Sequence, residues 1–467
     1  MTEPAVPRLF GTDGIRRVVN ADFSPVFIAE VAAATAEILG GEGPVLIAQD
    51  FRTTSPGIAR ILAGVLSMDA VEVVELGAMP TPCLQYNVLA LKARLGLMVT
   101  ASHNPTDFNG IKFCGPEGLE ITPEEEHAIE RNVHFRKHAV PVWEKAAPIR
   151  PDTNGVARYL QSIVSRVDRP RIAARKLRVV LDCGNGTSAA TSPQLLRSLG
   201  CRLTTLNANP DGHFPGHPSE PTEANLADLR KTVVAVGADL GIAHDGDSDR
   251  IAFVDETGRY IPGEESLGLF AREVLRRKGG GTVVTSVTST RCVEEAVRVA
   301  GGKLVITRSG SLPVARGILE EHAVFGGEEN GGYYWPEHQD ARDGPMSSAM
   351  MLDLLAETGK SLGGLLSDLP KFHVVKRNVP LPAASKAAVL ERVRTTLGAD
   401  SERMVTIDGV KAFYPDGWIL VRPSGTEPIC RVYAESRDAD RAKTMCERAV
   451  GLVSAYVAES SPSTGPR

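Results

Sequence analysis

The chain has 467 residues, 42% of them apolar and 23% charged, which is length for about three or four ordinary domains and apolar material for several cores. Its 52 basic and 57 acidic side chains leave a formal charge of −5 without any long basic run, excluding the cationic footprint of a nucleic-acid or membrane-surface binder; an anion has to be held in a local pocket. No stretch approaches the ~20 consecutive apolar residues of a membrane span, Met1–Pro4 start no charged-then-apolar leader, and Cys83, Cys114, Cys183, Cys201, Cys292, Cys430 and Cys446 are too scattered for a disulfide framework or zinc knuckle, so a soluble cytoplasmic protein with buried thiols is expected.

In chain order, Phe10–Arg16 is a Gly-rich polar turn that reads as a loop. Ser24-Pro25 then starts a helix with Phe27, Val31, Ala34 and Ile38 at helical spacing, closed by Gly40-Gly41. A strand at Val45–Ala48, with Asp50-Phe-Arg52 just past it, precedes a helix Ser55–Ser67, a strand Val71–Leu76, a helix Pro82–Leu91 and a strand leading to Ser102; this alternation is the grammar of a mainly parallel sheet with crossovers. A polar stretch holding Pro148, Pro151, Asp152 and Asn154 reads as a linker. The grammar restarts with strands Leu177–Leu181, Arg202–Leu206 and Leu240–Ala243 and a helix Ala224–Val236. It starts a third time with helices Glu264–Arg277 and Thr290–Ala300, strands Thr282–Ser286 and Leu304–Thr307, a helix to Glu320 and a strand Val324–Phe325. Three similar rounds predict a triplicated architecture. The last part, with strands Val374–Val379, Trp418–Val421 and Arg431–Tyr433 and helices Lys386–Leu397 and Ala439–Tyr456, reads as a smaller α+β domain, and Pro462–Arg467 as a frayed tail.

Three stretches carry candidate chemistry. The apolar run Leu97–Val99 stops at Thr100-Ala-Ser-His-Asn-Pro105, where the proline pushes Asn104 out of the helical region. Ser102 is thus expected on a loop at a strand's carboxyl end, where open α/β sheets bind ligands, with Lys112 ten residues on; a hydroxyl presented there can be a nucleophile, although Ser102 and Asn104 could also merely bond their own turn. In Asp245-Gly-Asp-Ser-Asp249 an extended loop puts three carboxylates on one side, where they need a cation, and all-oxygen ligands suit Mg²⁺ better than Zn²⁺. A calcium-binding loop is set aside because its sixth position, Arg250, is not glycine; a solvated acidic turn is the plain alternative. Arg422-Pro-Ser-Gly-Thr-Glu-Pro428 offers a guanidinium, two hydroxyls and backbone N–H groups to a phosphate, or else forms only a tight hairpin turn.

With Thr100–Pro105, Asp245–Arg250, Gly327-Glu-Glu-Asn-Gly331 and Arg422–Pro428 in this order, plus Phe10–Arg16, nearly the entire chain resembles the α-D-phosphohexomutases. The opening is most similar to the phosphoglucosamine mutases, and the middle loops also resemble archaeal-type enzymes acting on phosphoglucose or phosphomannose. The resemblance implies three similar mixed-sheet α/β domains (residues 1–152, 153–258 and 259–370) and a C-terminal α+β domain (371–467) around a central cleft. It further implies a phosphorylated Ser102, with Mg²⁺ held by Asp245, Asp247, Asp249 and the phosphoseryl group. Arg422, Ser424, Gly425 and Thr426 would hold the non-reacting phosphate, Glu328 and Asn330 the sugar hydroxyls, and Arg16, His103, Lys112 and Arg250 the reacting region.

The implied reaction interconverts glucosamine 6-phosphate and glucosamine 1-phosphate through a sugar 1,6-bisphosphate, which also serves as activator, in a monomer or homodimer without nucleic-acid or membrane partners; glucose or mannose phosphates are the alternative substrates. A phosphatase would need water at the phosphoseryl group and has no use for a second phosphate loop; a non-catalytic sugar-phosphate binder would not need Ser102 and all three aspartates. One departure stands out. Many relatives carry Gly-Glu-x-Ser-Gly-His in the sugar loop, whereas this chain has Asn330 and Gly332, so the acid–base role falls to Lys112 or Arg250, or to His338 reaching in from later in the loop.

Overall fold

The structure, a computed structural model, describes residues 6–39, 44–138, 141–425 and 427–460. Its strands form four sheets. The first runs in spatial order Ile15–Val18, Phe108–Cys114, Leu95–Val99, Val45–Gln49, Val73–Ala78, Ile149–Pro151; the second Tyr260–Ile261, Ile251–Val254, Leu240–His244, Arg178–Asp182, Arg202–Leu206; the third Lys303–Thr307, Thr282–Ser286, Phe325–Gly327, Tyr333–Trp335, Gln339–Arg342. The expected triplication is thus present in topology. In each sheet the first parallel strand is central, the second lies on one side and the third on the other, and the third turns straight back into an antiparallel neighbour. The fourth sheet is antiparallel throughout, in order His373–Pro380, Ile429–Ser436, Gly417–Pro423, Val410–Tyr414, Arg403–Val405.

The central strands are apolar runs such as Val45–Ala48, because helices cover both faces of a parallel sheet. One continuous core joins a face of the first sheet (Leu46, Met98) to the second (Leu181, Phe253) and third (Phe270, Phe325) and ends at Leu369. The other face of the first sheet has a core of its own between Phe10 and Ile129. The fourth domain closes separately around residues such as Val379, Val421 and Val453. It meets the third through Val287 packed on Phe413, Trp418 and Leu420, beneath which the Lys411 Nζ donates to the carbonyls of Val287 and Ser289.

Several elements differ from expectation. Phe10–Arg16 is only partly a loop: Ile15–Val18 is an edge strand paired with Phe108–Ile111, and Ile15 is fully buried. The stretch read as a linker contains Ile149–Pro151, which pairs in parallel with Val73–Glu75; an exposed edge tolerates proline and carries none of the apolar alternation that marks a strand. A helix Pro123–Phe135 opens with a Thr122/Glu125 capping box. Gly344–Thr358 is helical and buried nearly all round, so it lacks the one-sided pattern of a surface helix. The Gly40-Gly41 closure and the Pro462–Arg467 tail lie outside the described residues. The described cysteines are free thiols, all buried but the half-buried Cys201.

Candidate active site

The shared topology puts three loops in equivalent places. Residues 100–107, 245–250 and 328–332 each follow the third parallel strand of their sheet and lead into its antiparallel neighbour. Strand ends of this kind are where α/β folds present ligand-binding groups. Arg16, Ser102, His103, Arg250, Glu328 and Asn330 line one cleft of 620 Å³, to which the fourth domain contributes Glu427 and Arg431.

Ser102 has φ +50°, a left-handed conformation that costs a non-glycine residue about 1–3 kcal/mol and persists only where surroundings impose it. They do so through Arg52. Its guanidinium, 1% exposed, donates to the carbonyl oxygens of Ser102 (3.0 Å), Asn104 (2.7 Å), Pro105 (2.6 Å) and Phe108 (3.1 Å), and it faces the Phe214 ring of the second domain. Asp50 pairs with Arg52 (3.2 Å) and accepts from Thr100 Oγ1 (2.7 Å), whose Oγ1 in turn accepts the Ser102 N–H (2.9 Å). On the other side the Gly246 backbone abuts the loop so closely that a Cβ there would sit 2.5 Å from the Ser102 carbonyl oxygen. The result is a hydroxyl aimed at the neighbouring domain: Ser102 Oγ donates to Asp245 Oδ2 at 2.9 Å.

The Asp245–Asp249 loop is a turn, not the expected extended segment; Ser248 has φ +64°. The carboxylates converge all the same, with one oxygen from each of Asp245, Asp247 and Asp249 within 4.8 Å of the others. Burial and repulsion from Asp247 and Asp249 push Asp245 up, while Asp247, which burial alone would raise, is drawn down by the Lys112 ammonium. Asp247 Oδ1 and Asp249 Oδ1 are buried without a hydrogen-bond partner. Orphaned carboxylate oxygens beside a serine hydroxyl are what a hard, oxygen-seeking divalent ion requires, so the donor set fits Mg²⁺.

Lys112 lies beneath this loop, its Nζ 2.8 Å from Asp13 Oδ2, 2.8 Å from Asp247 Oδ2 and 3.0 Å from Asp249 Oδ2. Burial opposes its charge, but the three carboxylates outweigh that and hold its pKa above the ordinary lysine range. Arg250 donates to Glu220 (2.7 Å) and through its backbone to Asp245 Oδ1 (3.0 Å). Neither cation offers a lone pair near neutral pH. His103 Nδ1 is 3.3 Å from Ser102 Oγ; burial and Arg250 outweigh the Glu220 carboxylate and lower its pKa to about 4, so the ring is neutral at pH 7. Arg16 donates to Asn104 Oδ1 (3.2 Å) and to Asp13 (3.2 Å).

In the third loop Glu328 is buried with Oε2 unpartnered, and burial, against the pull of Arg342, raises its pKa to about 7. Asn330 Oδ1 accepts the Gly332 N–H at 3.0 Å. His338 does not reach the cleft. It is packed in the core with its ring stacked on Tyr86 (centroids 5.1 Å apart), beside Asp343 and bonded to Ser162, at the end of a turn closed by its own N–H on the Trp335 carbonyl. In the fourth domain the antiparallel strands Gly417–Pro423 and Ile429–Ser436 bring Arg422 and Ser424 to a hairpin end: Arg422 Nε pairs with Asp408 Oδ2 at 2.6 Å, Ser424 Oγ accepts the Glu427 N–H, and Gly425 has open space around it. Thr426 lies outside the described residues. Asp13, Arg52, Glu220 and Arg342 were not singled out from the sequence. Asp13 had the best signal, standing inside Phe10–Arg16, whereas Arg342 lies in no motif quoted for the site.

Models of the phosphoglucomutase/phosphomannomutase family match the chain four times, as α/β/α domain I over residues 7–139, domain II over 157–258, domain III over 262–372 and the C-terminal domain over 377–452. The chain belongs to this family. It is therefore a phosphohexomutase, an isomerase that moves a phosphoryl group within a hexose phosphate. Among its relatives, a probable phosphoglucosamine mutase of Methanopyrus kandleri is 39% identical over 97% of this chain and 99% of its own length. A phosphoglucomutase/phosphomannomutase of Thermococcus kodakarensis is 36% identical over 96% and 98%. A phosphoglucosamine/phosphogalactosamine mutase of Sulfurisphaera tokodaii is 36% identical over 94% and 97%. A crystal structure of a phosphoglucomutase/phosphomannomutase family protein from Burkholderia thailandensis superposes with a TM-score of 0.86 at 27% identity, covering 96% of this chain and 98% of that one. Among the described residues no helix is long and apolar enough to cross a membrane.

Proposed function

We propose that this phosphohexomutase is a phosphoglucosamine mutase of relaxed specificity, exchanging glucosamine 6-phosphate with glucosamine 1-phosphate and also turning over glucose or mannose phosphates. The observation that carries the reading is the Ser102 hydroxyl, strained into a left-handed conformation and held 2.9 Å from Asp245 in a cleft shared with the third and fourth domains. Phosphorylated Ser102 passes its phosphoryl group to the free sugar hydroxyl, the resulting 1,6-bisphosphate turns over in the cleft, and the other phosphoryl group returns to Ser102, so no phosphate is gained or lost.

Such a transfer is governed by positioning and charge neutralisation. Asp245, Asp247 and Asp249 would hold Mg²⁺, which when bound supplies positive charge to the phosphoryl oxygens. Arg16 and Arg250 at the cleft wall add fixed cations. Lys112, locked between three carboxylates, organises the floor rather than moving protons. Glu328 accepts the sugar hydroxyls; with a pKa of about 7 and a buried oxygen that no hydrogen bond occupies it is also matched to take and return the proton of the attacking hydroxyl. Arg422, Ser424, Gly425 and Thr426 hold the spectator phosphate, with Arg431 and Glu427 facing the cleft beside them.

Relaxed specificity follows from Glu328, which accepts hydrogen bonds from hydroxyls without reading the 2-substituent, and from Gly332, which offers no side chain. A site without a dedicated partner for that substituent separates the sugars by only ~1–3 kcal/mol. The experiment is the ratio of kcat/KM for glucosamine 1-phosphate and glucose 1-phosphate, primed with a sugar 1,6-bisphosphate. Both are expected to react, glucosamine the better. A preference for glucose of about tenfold, 1.4 kcal/mol, overturns the substrate, and an absolute preference for either overturns the relaxed site.

A further inference from the structure

Gly332 and Arg342 occupy one space. A Cβ built on Gly332 would lie 2.5 Å from Arg342 Cδ and 3.0 Å from its Cγ, well inside contact distance. The arginine stem cannot swing aside cheaply, because both of its ends are fixed. Its backbone is paired with Tyr334 across the sheet, and the next residue, Asp343, caps the helix Gly344–Thr358 through the Met346 N–H. Its guanidinium NH2 is 2.8 Å from Asp249 Oδ2 and 3.3 Å from Asp13 Oδ2, and NH1 faces Glu328 Oε2 at 3.8 Å. These three carboxylates come from three different domains, and the arginine is 9% exposed at the cleft wall.

We infer that Arg342 is a positioning residue of this site: seated where a side chain at 332 would be, its guanidinium ties the Glu328 carboxylate to Asp249 and Asp13 and so sets where the sugar meets the Ser102 loop. The inference deepens the reading of Glu328 as acceptor of the sugar hydroxyls and rests on it. Its physical basis is that the Gly310 N–H bonds the Glu328 carboxylate but Oε2 is buried without a hydrogen-bond donor, so a nearby cation must offset its burial and fix its direction. Arg342 NH1 is within salt-bridge reach of Glu328 Oε2 while NH2 holds Asp249 and Asp13, a spread across two rigid arms that the single nitrogen of a lysine does not match. Glycine at 332 is then a requirement of the arginine: any side chain there displaces the stem and, with it, the fork.

Two double-mutant cycles test this, read as KM and kcat for a sugar 1-phosphate with the thermal midpoint of each variant as a check on folding. Loss of folded enzyme lowers kcat alone, so KM is the discriminating quantity. Arg342→Lys, which keeps the charge and most of the stem, should fold like the wild type yet raise KM by about tenfold, because charge without the fork does not orient Glu328; a wild-type KM in this variant overturns the inference. Gly332→Ala should raise KM in the wild-type background and add little in Arg342→Ala, where the stem is gone; equal costs in both backgrounds overturn the shared-space argument. Arg342→Ala should likewise add little to Glu328→Gln. If Glu328→Gln is defective and the two effects are simply additive, the inference alone fails. If Glu328→Gln leaves KM for the sugar phosphate unchanged, the sugar-loop reading fails and takes the inference with it.

Discussion

The Ser102 loop and the Glu328 loop hold the same place in two copies of one sheet topology, yet they are secured in opposite ways. Arg52 grips the first from behind by four backbone carbonyls, whatever the side chains are, and forces Ser102 into a conformation it would not choose. The second is met by Arg342 through a carboxylate side chain, while its backbone turns at Gly331, whose carbonyl accepts one bond from the Ile251 N–H. The difference teaches that a loop which must present one atom in one direction is built by fixing its main chain, whereas the proposed sugar loop has its carboxylate met by a cation.

The sharpest way to break the comparison is at the atom being presented. Ser102→Ala should lose almost all turnover with folding intact, and mass spectrometry should find the transferable phosphate on Ser102 of the active enzyme; phosphate on another residue removes Ser102 from the mechanism. Next in size is the charge opposite it. Exhaustive chelation, or Asp247→Ala, should abolish activity and restoration of Mg²⁺ should recover the chelated wild type, since three clustered carboxylates repel one another without a cation; full activity in either case overturns the Mg²⁺ assignment.

The clamp itself comes third. Arg52→Ala removes the cation beside buried Asp50 and the donor to four carbonyl oxygens and should cost roughly 3–5 kcal/mol of stability, measurable by denaturant unfolding. Arg52→Lys should retain more stability but lose the four-way grip, so that kcat falls more than the unfolding midpoint suggests; a lysine variant with wild-type kcat would show that the Ser102 conformation does not depend on the fork.

How legible this was in the sequence follows the same line. Motifs made of consecutive residues, such as Thr100–Pro105 and Asp245–Arg250, were readable because the chemistry and the turn that presents it are local. Their anchors were not. Arg52 was visible only as a polar residue past a strand, because its partners are carbonyls some 50 residues away, and Arg342 ends the short, largely polar strand Gln339–Arg342. The alternation of strands and helices was clear wherever apolar runs were long, while Ile15–Val18 and Ile149–Pro151 went unread because edge strands carry little apolar signal. The three carboxylates of Asp245–Asp249 are gathered by a turn, whereas alternate spacing along a sequence brings side chains to one side only in an extended loop.

The smallest effect sharpens the comparison from the fourth domain. Arg422→Ala should weaken binding by roughly 1.5–3 kcal/mol for both the 1- and 6-phosphate, the worth of a hydrogen bond to a charged group. An unchanged KM for both removes it from the site, and Arg431, which faces the cleft two strand residues beyond the hairpin, then becomes the anchor to test.

The division of the core also says where the chain can be recombined. The first three domains share apolar packing that runs without a break from Leu46 to Leu369, so a chimera joined anywhere inside that span would set two unmatched half-cores against each other. The fourth domain brings its own interior and its own antiparallel sheet, beginning at His373. A junction between Phe372 and His373 leaves both of these cores whole, and the graft must then preserve the seam where Lys411, Phe413, Trp418 and Leu420 meet Val287 and Ser289, together with polar contacts such as Arg291 to Glu435 and Ser309 to Asp408. Exchanging the fourth domain between relatives while keeping the Ser102, Asp245–Asp249 and Glu328 loops is therefore a matter of matching one seam.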